Sequence, residues 1–349
     1  MAFANRAPSN PSDQIVSLGE LFKKIKVPNR LFNALNLFSI ETHSTLNVSL
    51  DRLLDRAEQV YNENVPYSSD FNTILRPQFS NYLYQLPYFS SVDELTSRDL
   101  ERFRRAGTDS DQSLQQARLE LVEKQAIEYF NTKDKILADS ILRGVSKSKF
   151  AAQRDLNYFD EFAGTTQTNI ELDLSAGASV PKQLDSLIQQ SQIECQGKNG
   201  DVEQRFIICS GNLAQELKYH PSITETMIYN LSTLSADNFL TQYKELLPAY
   251  QMWVFKNLVF IDVTGQNAQY GIPDNGGYMV TKFNKNSRVH VHHAGPAIRS
   301  ANMLGEQGEF LQYMLPDVSG WGFPTVVSEF SMLAVNNLPQ STFSLSIKA

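Results

Sequence analysis

The sequence predicts an α+β fold on three observations. Residues 111–143 repeat apolar side chains at three- and four-residue steps, the period of a helix with one buried face. Near both ends of the chain, Leu46, Val48 and Leu50 and then Phe343, Leu345 and Ile347 alternate with polar residues, as half-buried strands do. Between them, Phe206–Cys209 and Met252–Val263 are rich in β-branched and aromatic residues, the composition of buried strands.

Taken in order, residues 1–14 are polar, with Pro8 and Pro11, and read as a flexible arm. Ile15, Leu18, Phe22 and Ile25 then recur at helical spacing. Residues 2–30 hold five basic side chains, Arg6, Lys23, Lys24, Lys26 and Arg30, against the two acids Asp13 and Glu20. This stretch reads either as a solvated amphipathic helix or as a face turned towards something acidic, a neighbouring subunit or nucleic acid. Residues 62–92 carry Pro66, Pro77 and Pro87 with little periodicity, unusual inside a compact domain, and read as a lid, a linker or an extended arm. In the long helix, Leu119, Val122, Ala126, Phe130, Leu137 and Ile141 form the apolar stripe. Ser110 and Asp111 can cap its start and Gly144 can close its end in the left-handed conformation. At 1.5 Å per residue such a helix reaches roughly 50 Å and needs a sheet or a neighbour to cover its stripe. Ile170, Leu172 and Leu174 predict a strand. Helices are expected over Gln183–Gln190, Leu213–Tyr219 and Asn238–Leu247, and a single central strand over Met252–Val263. Pro273-Asp274-Asn275-Gly276-Gly277 is a turn by its residue types.

Composition narrows the function classes. With 349 residues and 42% hydrophobic content, the chain can bury one large core or two modest ones. Its 21 Phe and 14 Tyr suit cores and interfaces alike. A net charge of -7 argues against a surface built mainly to grip nucleic acid. The two cysteines, Cys195 and Cys209, are too few for a disulfide framework or a cysteine-rich zinc site. A secretion signal is not expected at the N-terminus, and no apolar run approaches the ~18 residues that cross a bilayer.

Motifs of catalysis are sparse. Phosphate-cradling and dinucleotide-binding glycine loops and the G-x-S-x-G elbow are absent. Asp160-Glu161 has no nucleophile motif beside it and reads as a solvated loop. His43 and His220 sit alone and read as surface or satisfied polar residues. The run Val289-His290-Val291-His292-His293 stands out. In a strand, His290 and His292 share a face about 7 Å apart and could hold a metal with Asp262 or Glu309 as third ligand. An exposed strand face would alternate in the same way.

The order of elements resembles the lambda-type (E family) major capsid protein of tailed bacteriophages. The likeness runs from Val27-Pro28-Asn29-Arg30-Leu31-Phe32 through the long helix, the strand Asn169–Leu174 and the strand-helix segment Phe206–Tyr219. It continues through Ile272-Pro273-Asp274-Asn275-Gly276, Ser328-Glu329-Phe330-Ser331-Met332-Leu333, Leu338-Pro339 and the strand Ser341–Lys348. Each motif is short, and residues 189–200 and the histidine run match no family motif. The resemblance implies the Hong Kong 97 phage capsid fold: an N-terminal arm over 1–45, an extended E-loop over 46–105 that lies on an adjacent subunit, and a peripheral domain over 106–185 plus 323–349. Helix 111–143 would be the spine of that domain, and the C-terminal strand would return to its sheet. Residues 186–322 would form the axial domain. The implied function is self-assembly into hexamers and pentamers of an icosahedral head shell around double-stranded DNA, with no catalytic residue and no cofactor. Expected partners are further copies of the chain, a portal, a separate scaffolding protein and packaged DNA touched non-specifically, with room for a decoration protein and no membrane. The expected location is the virion, after assembly in the host cytoplasm. Arg6, Lys23, Lys24, Lys26 and Arg30 are the candidate inter-subunit or DNA-facing residues. Two other readings stand beside this one: a metal-dependent enzyme using His290 and His292, and a portal or tail subunit.

Overall fold

The computed structural model describes residues 16–17, 30–51, 81–96, 98, 110–147, 155–230, 247–296, 308–315 and 325–348. In chain order, strand β1 (Val16–Ser17), helix α1 (Leu31–Leu35) and strands β2 (Ser39–Thr42), β3 (Asn47–Asp51), β4 (Asn81–Gln85) and β5 (Tyr88–Glu94) precede the long helix α2 (Ser110–Ala138). Strands β6 (Val145–Ser146), β7 (Leu156–Asn157) and β8 (Asn169–Leu172) follow, then helix α3 (Val180–Glu194), strand β9 (Val202–Cys209) and helices α4 (Gly211–Tyr219) and α5 (Pro221–Asn230). The rest comprises β10 (Gln251–Phe255), β11 (Leu258–Asp262), the short helix α6 (Asn267–Tyr270), β12 (Gly276–Phe283), β13 (His290–Gly295), β14 (Leu311–Leu315), β15 (Thr325–Asn336) and β16 (Phe343–Ile347).

The first sheet is organised around β15. This strand pairs antiparallel with β14 over Thr325–Glu329, with β5 over Thr325–Ser331 and with β13 over Ser331–Asn336. β1 extends the sheet beside β14, and β2 runs parallel to β13. Side chains alternate along a strand, so β15 presents two faces. Val326, Phe330, Met332 and Ala334 meet helix α2 and its neighbours, whereas Leu333 and Val335 meet Val48, Tyr84, Leu86, Leu156, Tyr158 and Phe162. Helix α2 buries Val122, Ala126, Tyr129, Phe130, Leu137 and, beyond its last α-turn, Ile141. Leu119, expected on the same stripe, is exposed. The final turn widens into a π-helix over Asp139–Arg143 and closes at Gly144 (φ 62°), whose N–H donates to the carbonyl of Asp139. A buried amide pair fixes helix to sheet: Gln125 Nε2 donates to the Val326 carbonyl at 3.1 Å, and Gln312 Nε2 donates to Gln125 Oε1 at 2.9 Å.

The second sheet has the order β10-β11-β9-β12-β16-β8. Phe206, Ile208, Val259, Ile261 and Val280 face the C-terminal end of α2 and helix α1. Ile207, Cys209, Phe260, Met279 and Phe343 face Leu184 and Leu187 of α3 and Leu213 and Leu217 of α4. Sheets covered on both faces are expected to read as near-continuous apolar runs, as β9 and β11 do. Cys195 and Cys209 are both buried and free, packed as small hydrophobes.

The pairing departs from several expectations. The C-terminal strand β16 does not return to the sheet under the long helix; it lies between β12 and β8 in the second sheet. Conversely, β13 and β14, inside the 186–322 segment, belong to the first sheet, while β8 and the start of α3, inside 106–185, pack with the second. Residues 88–94, inside the expected extended loop, form β5 and pair with the chain's own β15. Met252–Val263 is a hairpin rather than one strand, because Lys256 and Asn257 both take positive φ (50° and 60°) in the two-residue turn that joins β10 to β11. The Lys256 ammonium is held there by the Pro181 carbonyl at 3.0 Å and by Asp185. Val16 and Ser17 are extended against β14 where the spacing of Ile15, Leu18 and Phe22 predicts a helix. Residues 238–246 of the expected Asn238–Leu247 helix lie outside the described residues.

One close approach joins helix α4 to the Pro273–Gly277 turn. Gly211 adopts φ +59°, and a Cβ added there would sit 1.9 Å from the Asp274 carbonyl oxygen. Ser210 Oγ donates to this turn, 3.0 Å from the carbonyls of both Pro273 and Asp274. Replacing Gly211 with Ala adds a left-handed conformation and a backbone clash, at a combined cost of at least about 3 kcal/mol. Gly200→Ala, where an added Cβ meets nothing within 4 Å, is expected to stay within about 0.5 kcal/mol of wild type. Chemical denaturation of the two variants side by side checks this; equal midpoints would mean the turn yields freely.

Candidate functional site

The root of the N-terminal segment is docked by a carboxylate. Asp134, fully buried on α2, accepts the backbone N–H of Asn33 at 2.9 Å, in the first turn of α1. An acidic group at that position compensates the unpaired amides of a helix start. Burial pushes the Asp134 carboxyl up to about 6, opposed by the Asn33 amide, the Tyr270 hydroxyl and the Arg30 guanidinium. Arg30 is the residue before α1 and is half-buried. It lines a cleft of about 570 Å³ together with Asn131, Lys135, Asp139 and Lys147. Of the five candidate basic residues only Arg30 is described; Arg6, Lys23, Lys24 and Lys26 lie outside the described residues.

The outer surface offers small, separated apolar groups. Ile40 on β2, Val92 on β5, Leu119 and Ile127 on α2, Ile193 on α3 and Tyr219 at the end of α4 are exposed. Single exposed side chains of this kind are ordinary on a monomer surface. Among the described residues, strands β3 and β4 pair with each other alone and form a ribbon. Its root is anchored by Val48 and Tyr84 against the β15 core, and residues 52–80 beyond it lie outside the described residues.

The histidine run forms β13 and is buried, not exposed. The His290 ring packs against Phe38 (centroids 5.7 Å) and Phe283 (5.5 Å), and neither of its nitrogens has a hydrogen-bond partner among the described residues. Burial holds its pKa down at about 3. His292 is held at about 4, by burial and then by the Lys133 ammonium, with Glu309 acting the other way. Glu309 is taken up by Lys133, which bonds it in a partly buried ion pair, and by the Tyr129 hydroxyl at 3.1 Å. Burial alone would raise the Glu309 carboxyl, but Lys133 brings it below the usual range. Asp262 lies in the other sheet, on β11, and accepts from its own neighbour Thr264. His290 and His292 therefore acquire no third ligand among the described residues.

The third histidine behaves differently. His293 points away from α2 and meets His43, ring nitrogen to ring nitrogen, at 2.8 Å, with Glu41 Oε2 at 3.8 Å. His43, expected to be alone, is thus part of a cluster, whereas His220 is a satisfied polar residue paired with Ser222 Oγ and the Ser175 carbonyl. Asp160 and Glu161 sit in a π-helical turn over Phe159–Ala163, with Asp160 hydrogen-bonded to Asn157.

A long helix lies on a long-stranded sheet, beside a second sheet clad in helices, and a solved phage capsid structure shares this fold. A crystal structure described as a capsid protein of a prophage (E. coli CFT073) matches with a TM-score of 0.61 at 11% identity, covering 96% of this chain and 99% of that one. A family model for phage major capsid protein E matches residues 14–346, and the chain belongs to that family. Looser likenesses include the cyanophage A-1(L) capsid (TM-score 0.49, 11% identity, 98% and 96% covered) and Mycobacterium phage Che8 (0.43, 13%, 99% and 98%). No curated protein matches the chain in sequence. As a member of this family the chain is a structural protein of the virion that assembles with copies of itself into the shell.

Because His290 is buried neutral, its folded pKa near 3 lies below the ordinary value of 6.5, so its contribution to stability is complete above pH 6.5 and is lost as pH falls towards 3. Each pH unit in that window costs about 1.4 kcal/mol per such group. Asp134, raised to about 6, has the opposite slope between roughly pH 4 and 6, so the useful comparison is between variants. His290→Phe is expected to stay within about 1.5 kcal/mol of wild type at pH 7.5 and to gain on it steadily as the pH drops to 5. Urea midpoints across this range check it; parallel pH profiles would refute the buried neutral imidazole.

Proposed function

We propose that copies of this chain close into hexamers and pentamers of an icosahedral head shell enclosing double-stranded DNA, and that no step of its work is catalytic. The family match over residues 14–346 carries the reading. In this reading residues 1–45 are an N-terminal arm, and 46–105 an E-loop whose β3–β4 ribbon reaches over a neighbour while β5 returns to its own sheet. The sheet around β15, with α2 as spine, is the peripheral domain, and the sheet around β9 is the axial domain. Three features support it: a β3–β4 ribbon and sheet edges that take no further strand among the described residues, and a net charge of -7. Heterologous contacts repeated about a rotation axis close into rings, and rings tile a shell. A mildly acidic container also avoids holding its DNA too tightly, since phosphate contacts would multiply along the wall.

Further partners follow from the same reading: a portal, a separate scaffolding protein, packaged DNA met non-specifically and, on the outer face, a decoration protein, with assembly in the host cytoplasm. Arg6, Lys23, Lys24, Lys26 and Arg30 are the residues we assign to neighbour or DNA contact. Residues 2–30 carry a net charge of +3 (five basic less two acidic) against the sign of the whole chain.

Electron microscopy of the purified full-length chain is expected to reveal pentamers, hexamers or closed shells. Single rings or tubes would favour a portal or tail subunit, and a folded monomer at high concentration would overturn the proposal. The Lys23→Gln, Lys24→Gln, Lys26→Gln triple variant is expected to keep its thermal stability within about 0.5 kcal/mol. Its assembly or DNA retention should weaken and lose salt dependence, because attraction between charges across water is screened by salt. Wild-type assembly and DNA content at every salt concentration would remove these lysines from the role.

A further inference from the structure

We infer that Glu41 Oε2, His43 Nε2 and His293 Nδ1 form a binding site for one divalent cation of the zinc class, placed where strand β2 joins the first sheet. The site follows from strand geometry. Glu41 and His43 are two residues apart at the edge of the sheet, so their side chains leave the same face, and the parallel register sets Glu41 directly beside His293. The His43 N–H continues that pairing by donating to the Ala294 carbonyl at 2.8 Å, which fixes the backbone beneath the third ligand.

The distances suit a metal. Two ligands bound to zinc at about 2.0–2.1 Å with tetrahedral angles lie about 3.3 Å apart. The two imidazole nitrogens are 2.8 Å apart, the carboxylate oxygen is 3.8 Å from His293 Nδ1, and all three donor atoms lie within 4.8 Å of one another. Shifts of about half an ångström per side chain, within rotamer adjustment, bring them to bonding distance. Two imidazoles and one carboxylate are a donor set that zinc, and with open positions other late divalent metals, accept readily.

The surroundings favour the neutral, ligating forms. His293 is buried and held far below the ordinary histidine value, at about 3, by burial and by the adjacent His43 and His292. Without a metal, one of the two facing nitrogens must carry the proton shared between them. When a cation enters, that imidazole moves its proton to its other ring nitrogen, which frees the facing lone pair for the metal. Glu41 supplies one negative charge, and its other oxygen, Oε1, is held by Arg288 Nε at 3.4 Å, an outer contact that orients the ligating one. His43 and Glu41 are only half-buried, which leaves an entry path from solvent.

The consequence is mechanical. Among the described residues β2 is the outermost strand of its sheet, joined to β13 alone, and Ile40 beside the site is exposed. A cation there links residues 41 and 43 to residue 293 and clamps the root of the N-terminal segment to the body, independently of whether the chain builds a shell.

The test uses the full-length chain, stripped with a chelator and then equilibrated with zinc chloride alone. Equilibrium dialysis with elemental analysis is expected to find one zinc per chain in wild type and in a His220→Ala control. His43→Ala should weaken binding by more than about a hundredfold, since even loss of an outer-shell partner costs 10–100-fold. Glu41→Gln should weaken it at least tenfold. Zinc should raise the melting temperature of wild type and the control but not of His43→Ala. Absence of zinc uptake by wild type, or uptake and stabilisation that survive in His43→Ala, overturns the assignment. If His43→Ala fails to fold, Glu41→Gln decides the point by the same criteria, wild-type affinity in it counting against the site.

Discussion

Burial of β15 on both faces is the constraint on which the first half of the molecule depends. A strand covered on one side by a helix and on the other by a ribbon root must be apolar at successive positions, and the run Phe330 to Val335 is interrupted only by Ser331. The polar groups that remain are matched from the sides. Tyr158, itself fully buried, donates to the Ala334 carbonyl at 2.6 Å; Gln125 donates to the Val326 carbonyl; Tyr313 donates to the buried carboxylate of Glu329 at 3.1 Å. Each such bond contributes only about 1 kcal/mol net, but leaving any of these buried groups unpaired costs more than that. The network therefore specifies register more than it adds stability.

The end of helix α2 carries that constraint into the second sheet. Leu137, Ala138, Ile141 and Leu142 share a core with Phe206, Ile208, Val259 and Val280 as well as with Ala334 of β15. The same helix holds α1 through Asp134, so one element fixes the two sheets and the start of the chain relative to one another. A helix that simply stopped at Ala138 would leave this junction short. The π-turn over Asp139–Arg143 and the left-handed Gly144 re-aim the chain there, and a side chain at Gly144 would press on the Phe159 ring at 2.6 Å.

Much of this was legible from periodicity, because periodicity reports local geometry. The long helix, its glycine stop, the strands at Leu46–Leu50, Phe206–Cys209 and Phe343–Ile347 and the helices around Gln183 and Leu213 are all present. Pairing partners were not legible. Nothing in Phe343–Ile347 says whether it joins the sheet under α2 or the one beside it, and the residues of β12 that receive it lie far away in sequence. Lys256-Asn257 hid a hairpin because neither residue is glycine; the side chain of Lys256 is tethered to α3, which offsets a left-handed conformation that local propensity disfavours. The histidine run was visible, but not which of its members would meet partners from elsewhere in the chain. His290 and His292 share a face that turned out to be packed, and the metal-ligating geometry belongs to His293, whose partners Glu41 and His43 are about 250 positions away. The only local signal was the two-residue spacing of Glu41 and His43 within an alternating segment.

The distribution of apolar surface explains how such a chain can be both a stable subunit and a cooperative builder. Two main cores are built among the described residues of one copy. Exposed among the described residues is a set of single side chains, from Ile40 on one sheet edge to Tyr219 at the end of α4, each only 42–75% exposed, so covering one contributes part of the ~1.5–3 kcal/mol of a full burial. Contacts of that size, separated across different elements, are too weak to hold two copies together individually and are reversible when misplaced. Repeated by every copy in a closed assembly, they are made simultaneously, and the strength of the whole then comes from closure rather than from any one interface.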